Sequence, residues 1–110
     1  MRKLLFICSR NRIRSLEAER LLSGCEGVAA RSRGTERNAR IRLQSGDVGW
    51  ADEIFVMERR HAERVKAKFG EFLEGKRISV LRIRDIYALG EPRLREILRS
   101  RLSEHDLELG

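Results

Sequence analysis

Two runs of this sequence, Leu4–Cys8 and Ile54–Met57, contain no polar residue at all. A strand with one face in water alternates apolar and polar residues, so a short run without alternation predicts a strand buried on both faces. Such a sheet needs helices above and below it, and amphipathic stretches between the runs supply them. Ser15–Ser23 carries Leu16, Ala18, Leu21 and Leu22 as an apolar stripe and is stopped by Gly24. Glu58–Phe69 repeats Ala62, Val65 and Phe69 at helical spacing before Gly70. A last helix opens at Pro92, a favoured first helical residue, with Leu94, Ile97, Leu98 and Leu102 on its apolar face. Val28–Ser32, closed by Gly34, and Ile78–Ile83 complete the strands. Thr35–Gly49 is mostly polar without a readable period, and Trp50–Asp52 leads into the third strand. The expected fold is α/β: a four-stranded parallel sheet with helices on both faces and right-handed crossovers. Ligands of such sheets bind beyond the carboxyl ends of the strands, which points to the residues after Ile7, Met57 and Ile83.

The 110 residues show no internal repeat, low-complexity tract or Pro-rich linker and are read as one domain over residues 1–110. No apolar run approaches the ~18–20 residues of a membrane span, and Leu4–Cys8 is too short for a signal-peptide core. With two Cys and no export signal, the expectation is a cytoplasmic protein whose thiols stay reduced. The formal charge is +7, carried mostly by Arg. A basic surface attracts anions, and the planar fork of Arg suits phosphate. Taken singly, most of these Arg read equally as ordinary surface residues.

Cys8 ends the first strand, Arg14 follows six residues later, and a helix follows Arg14. A gap of five residues lets the backbone curl around a tetrahedral oxyanion with its N–H groups turned inward. The helix adds free N–H groups and the positive end of its dipole. The candidate anion-binding residues are therefore Ser9, Arg10, Asn11, Arg12, Ile13, Arg14 and Ser15, with the Cys8 thiolate at the floor of the cradle. Asn11 suits a left-handed turn, and Ser15 is placed to hydrogen-bond the thiolate or to cap the helix. Cys25 has Arg31 and Ser32 at the same spacing, but it follows a helix stop and precedes a strand-like stretch. Cys25 reads as a small, partly buried hydrophobe. A buried core Cys is the plain alternative for Cys8 as well.

These residues resemble the low-molecular-weight protein tyrosine phosphatases, whose loop reads Cys-x-x-Asn-x-x-Arg-Ser after the first strand. Cys8, Asn11, Arg14 and Ser15 match it, as does Ala18-Glu19 on the next helix. Ser32-Arg33-Gly34-Thr35 is similar to the family's Ser-Ala-Gly-Thr. Ala51-Asp52-Glu53-Ile54 through Met57 and His61 resembles its Ala-Asp-x-Ile…Met…His segment, and Asp85-Ile86-Tyr87 its Asp-Pro-Tyr. The matches run in order over most of the chain. The sequence departs from the family at Arg10 (commonly Gly), at Ile13 (commonly a second Cys), and at Leu16 and Ile86 (commonly Pro). It is also shorter between Thr35 and Trp50, a region that in the family helps shape the substrate mouth.

The resemblance implies a cysteine-dependent phosphatase acting on phosphomonoesters, phosphotyrosine foremost, through a cysteinyl-phosphate intermediate. Cys8 would attack phosphorus, Arg14 and the loop would hold the oxygens, and Asp85 would protonate the leaving group. Glu91-Pro92 imitates the Asp-Pro pair, but Glu91 lies six residues beyond Asp85, at the start of the last helix, where a carboxylate complements the dipole. The implied partners are a phosphorylated protein or a small phosphomonoester, with inorganic phosphate or sulfate able to occupy the loop. Neither a cofactor nor a metal is expected, and no Cys/His cluster has zinc-ligand spacing. The alternatives are an arsenate reductase-like enzyme, which needs further thiols, and a non-catalytic module binding phosphate or nucleic acid. Four Phe, one Trp and one Tyr make a poor base-stacking surface, which disfavours nucleic acid. Elsewhere, His61 and His105 read as surface or capping residues, with His105 in the last helix. Asp52 and Glu53 read as solvating a helix end, Trp50 as a core anchor, and Arg59 and Arg60 as a solvated face that could flank the pocket.

Overall fold

A computed structural model describes residues 1–107; residues 108–110, the end of the expected domain, lie outside the described residues. The strands are β1 (Arg2–Cys8), β2 (Val28–Gly34), β3 (Glu53–Val56) and β4 (Ile78–Val80). The helices are α1 (Arg14–Leu22), α2 (Ser45–Trp50), α3 (Arg59–Phe69) and α4 (Pro92–Ser103). All strand pairs are parallel, in the order β2-β1-β3-β4. The fold is α/β, as the alternation predicts.

The two uninterrupted apolar runs occupy the two central strands. In β1, Leu4, Phe6 and Cys8 face a core closed by Ala18 and Leu22 of α1 and by Leu94, Leu98 and Leu102 of α4. Leu5 and Ile7 face the opposite core, closed by Val48 of α2 and by Ala62, Val65 and Phe69 of α3. The neighbouring run divides in the same way, Phe55 and Met57 to the first core and Ile54 and Val56 to the second. Each large side chain so buried stabilises the fold by roughly 1.5–3 kcal/mol. Among the described residues no helix is long and apolar enough to cross a membrane.

Several local expectations are corrected. The stretch without a readable period contains α2, whose entry is a capping box between Gln44 and Asp47. Trp50 ends that helix and, as expected of a core anchor, packs half-buried against the second core, its ring 4.1 Å from the Arg31 guanidinium. Asp52 and Glu53 tie β3 to β1: Lys3 N–H donates to Asp52 Oδ2 at 3.0 Å, and Arg2 pairs with Glu53 at 2.8 Å. Ladder pairing of β4 stops at Val80, two residues before Arg82 adopts φ 58°, but Leu81 and Ile83 N–H still donate to the Val56 and Met57 carbonyls. His105 lies past the end of α4, edge-on to Phe55 with 5.0 Å between ring centroids.

β1 feeds β2 on one side, and the chain then crosses β1 to build β3 on the other. The strand order thus reverses beside the carboxyl end of β1, where α/β sheets bind ligands. Cys8 stands there, Glu58 shortly after β3, and Arg84 and Asp85 beyond β4.

Candidate active site

Cys8 is buried and pairs in register with Gly34 of β2. The chain leaves the sheet at Gly34 and returns at Leu43: Gly34 N–H donates to Ile41 O (2.9 Å) and Leu43 N–H to Gly34 O (2.8 Å). The excursion between them lies against the Cys8 loop. Thr35 N–H donates to Cys8 O (3.0 Å), Glu36 N–H to Ser9 O (2.9 Å) and Arg40 N–H to Arg10 O (2.9 Å), while Arg40 Nε donates to Asn11 O (3.1 Å). Four successive carbonyls are held outward, which turns the loop's N–H groups toward its interior. The Asn11 N–H donates to Cys8 Sγ at 3.2 Å. This close approach explains Gly34: a Cβ there would sit 2.5 Å from Ala39 Cβ and 2.6 Å from Ser9 O.

Asn11 takes the left-handed turn, φ 57°. Its Nδ2 donates to Ser15 Oγ at 2.8 Å, and Ser15 Oγ lies 2.9 Å from Cys8 Sγ. With that lone pair occupied, the Ser15 hydroxyl proton can be given to sulfur, so Ser15 and Asn11 together supply two donors to a thiolate. Ser15 therefore serves the thiol, and α1 has no side-chain cap. Asn11 and Ser15 are both fully buried behind the cradle, whereas Ser9, Arg10, Arg12, Ile13 and Arg14 join Cys8 on the wall of a cavity of about 320 Å³.

Arg14 opens α1 and is 2% exposed. Its Nη1 donates to Glu58 Oε2 at 2.5 Å and to Ile83 O at 2.8 Å, and its Nε lies 3.8 Å from Asp85 Oδ1. Two segments, one after β3 and one after β4, thus hold the guanidinium that opens α1. Burial works to raise the Glu58 pKa, but the hydrogen bonds and charges of Arg14 and Arg60 outweigh it and bring it down to about 2. Glu58 and Glu36 are site residues that sequence patterns missed, although the position of Glu58 just past a strand end was a signal for it.

His61 takes the expected capping role at the start of α3, but it is buried rather than on the surface. It accepts the Glu58 N–H at Nδ1 (3.0 Å), so its proton sits on Nε2, which donates to Ser9 Oγ at 2.9 Å. Burial, then the charges of Arg14 and Arg60, push its pKa down to about 4. With His61 as donor, the Ser9 hydroxyl keeps its own proton for the cavity that Ser9 lines.

Glu36, Arg60 and Asp85 complete the wall. Arg59 lines a separate groove with Val80, Arg82 and Arg84, so of the two adjacent arginines only Arg60 flanks the cavity. Asp85 is exposed and on the wall; Glu91 sits off it, at the N-cap of α4. Tyr87 is half-buried against the core. Cys25 is half-buried beside Leu21 and has no place on the wall.

No protein-family model matches the chain, and no curated protein matches it in sequence. Solved structures do match in fold. The tyrosine phosphatase Wzb from Escherichia coli K30, in complex with phosphate, superimposes with a TM-score of 0.73 at 18% identity, over 98% of each chain. The low-molecular-weight protein tyrosine phosphatase from Streptococcus pyogenes matches with a TM-score of 0.66 at 16% identity, over 94% of this chain and 93% of its own. The YwlE arginine phosphatase from Geobacillus stearothermophilus matches at 0.63 and 21%, over 94% of this chain and 85% of its own. With Cys8 and Arg14 at the two ends of the loop after β1, this chain has the fold of the low-molecular-weight protein tyrosine phosphatases.

Proposed function

We propose that the protein is a cysteine-dependent phosphatase that hydrolyses phosphomonoesters. The observation that carries the reading is the cradle around one sulfur: the Asn11 N–H donates to Cys8 Sγ and Ser15 Oγ lies 2.9 Å from it, while Glu58 and Ile83 hold Arg14 on the same wall. The Cys8 thiolate attacks phosphorus, forming the S–P bond as the ester P–O bond breaks. Arg14 and the loop N–H groups hold the non-bridging oxygens through the transition state. Asp85 gives its proton to the departing oxygen, then takes one from the water that attacks the cysteinyl phosphate, releasing inorganic phosphate and the thiolate.

Asp85 suits the role because it is exposed on the wall and keeps solvent access for its proton. Phosphotyrosine is the reference substrate that the family resemblance suggests, and inorganic phosphate or sulfate are the expected loop occupants. A thiol nucleophile fits a reducing compartment, and hence the cytoplasm. The chain is read as one catalytic domain.

The test is turnover of p-nitrophenyl phosphate together with phosphate binding. Cys8→Ser is expected to abolish turnover while still binding phosphate, because the cradle is backbone and Arg14. Cys25→Ser is expected to keep the rate within a few-fold. Equal loss in both variants overturns the assignment.

A further inference from the structure

The cavity wall has an unusual composition for a site meant to hold an aromatic ester. None of its nine residues is aromatic, and its one large aliphatic side chain is Ile13. Trp50 is engaged by Arg31, and Tyr87 packs into the core. The rest of the wall beyond Cys8 and Ser9 is charged: Arg10, Arg12, Arg14 and Arg60 against Glu36 and Asp85.

These guanidiniums are not equivalent. Arg10 pairs with Glu36 at 3.4 Å, Arg60 with Glu58 at 3.1 Å, and Arg14 with Glu58. Arg12 is exposed, lines the cavity, and makes no ion pair or side-chain hydrogen bond among the described residues. It stands in the very loop that curls around Cys8, four residues from the thiol. An anion seated between the loop N–H groups and Arg14 therefore has a free cationic fork at its edge, and a fork of this kind is matched by a second phosphate or carboxylate.

We infer, resting on the phosphatase reading above, that the site takes small phosphomonoesters bearing a second anionic group, and that Arg12 is the residue that reads it. The second charge belongs to the same small molecule because Arg12 shares one short loop with the nucleophile. Glu36 pairs with Arg10 and Asp85 lies beside Arg14, so neither carboxylate is paired with Arg12.

The test measures binding of methylphosphonate and methylenediphosphonate by calorimetry to the wild type, Arg12→Ala and Arg12→Lys, with p-nitrophenyl phosphate turnover in parallel. In the wild type the diphosphonate is expected to bind about tenfold more tightly, a margin that narrows as salt is raised. The margin is expected to collapse in Arg12→Ala and to survive in part in Arg12→Lys. Reading a ratio within each variant cancels any general change in the loop. Equal affinities in a wild type that hydrolyses p-nitrophenyl phosphate overturn this inference and leave the phosphatase reading standing. A margin that persists in Arg12→Ala removes Arg12 from the role. No turnover, with a margin that Arg12→Ala abolishes, fails the phosphatase reading while upholding the two-anion site. A phosphotyrosine peptide flanked by Asp that binds more tightly than the diphosphonate overturns the small-molecule assignment.

Discussion

Glu58 Oε2 lies 2.5 Å from Arg14 Nη1, joining residues 44 positions apart and fixing the guanidinium from behind the cavity wall. The carboxylate is the anchor and the guanidinium the working group. Glu58→Gln keeps an acceptor oxygen but removes the charge that holds Arg14. Since a misplacement of about 1 Å costs on the order of 10²-fold in rate, kcat/KM for p-nitrophenyl phosphate is expected to fall by roughly that factor. A variant that loses thermal stability but keeps its kcat/KM would show that Ile83 O alone positions Arg14. Because the folded-state pKa of Glu58 is lowered to about 2, its stabilising contribution is present above the unfolded carboxylate value of about 4.3 and is lost as pH falls toward 2. The clamp is thus expected to stay ionised across any neutral or mildly acidic assay.

His61 responds to acid in the same direction, but at higher pH. Its pKa is lowered to about 4, so between about 6.5 and 4 the unfolded chain binds a proton that the folded chain refuses. Folding stability is expected to fall as pH drops through that window and to gain no further slope from His61 below it. Urea denaturation at intervals from pH 7 to 4 reads this directly. His61→Gln is expected to remove that part of the slope, and a slope unchanged in the variant would assign it to other groups.

Asp85 and Glu91 are separated by leaving-group dependence. Removing a general acid costs ~10²–10⁴ in rate when the leaving group is basic. Asp85→Asn is expected to slow phenyl phosphate far more than p-nitrophenyl phosphate, whose leaving group hardly needs a proton, and to flatten one limb of the pH–rate profile. Glu91, at the N-cap of α4 and off the cavity wall, is expected to show neither effect as Glu91→Gln. Leaving-group sensitivity in the Glu91 variant instead would transfer the role to Glu91.

Gly34 is a packing requirement rather than a hinge. In Gly34→Ala the new methyl meets backbone at Ser9 O, which cannot swing away as a side chain can. Overpacking of this kind costs typically ~1–3 kcal/mol, and it acts on the segment that holds the loop carbonyls outward. Thermal melts are expected to show that loss, with a further drop in phosphate affinity. Unchanged affinity would mean that the loop keeps its shape without the Thr35–Arg40 contacts.

The sheet and most of its helices were legible in the sequence because their signals are local. An unalternating run such as Leu4–Cys8 has one stable use in so short a chain, and Cys8 and Arg14 lie close enough for spacing and context to place both around one loop. Residues 35–49 were not legible, because α2 is short and its neighbouring loop takes its shape from hydrogen bonds to Cys8, Ser9 and Arg10 rather than from any pattern of its own. The same holds for Asp52 and Glu53, whose partners are in β1, and for His61, whose hydrogen-bond partner Ser9 lies in the loop after β1. The strand–helix alternation and the Cys8–Arg14 loop follow from the sequence, since periodicity and short-range spacing are properties of the chain before it folds. The position of Asp85 just past the last strand already favoured it over Glu91, but that Glu58 holds Arg14 and that His61 hydrogen-bonds Ser9 emerge only in the fold, because those contacts join segments brought together by the crossovers of the sheet.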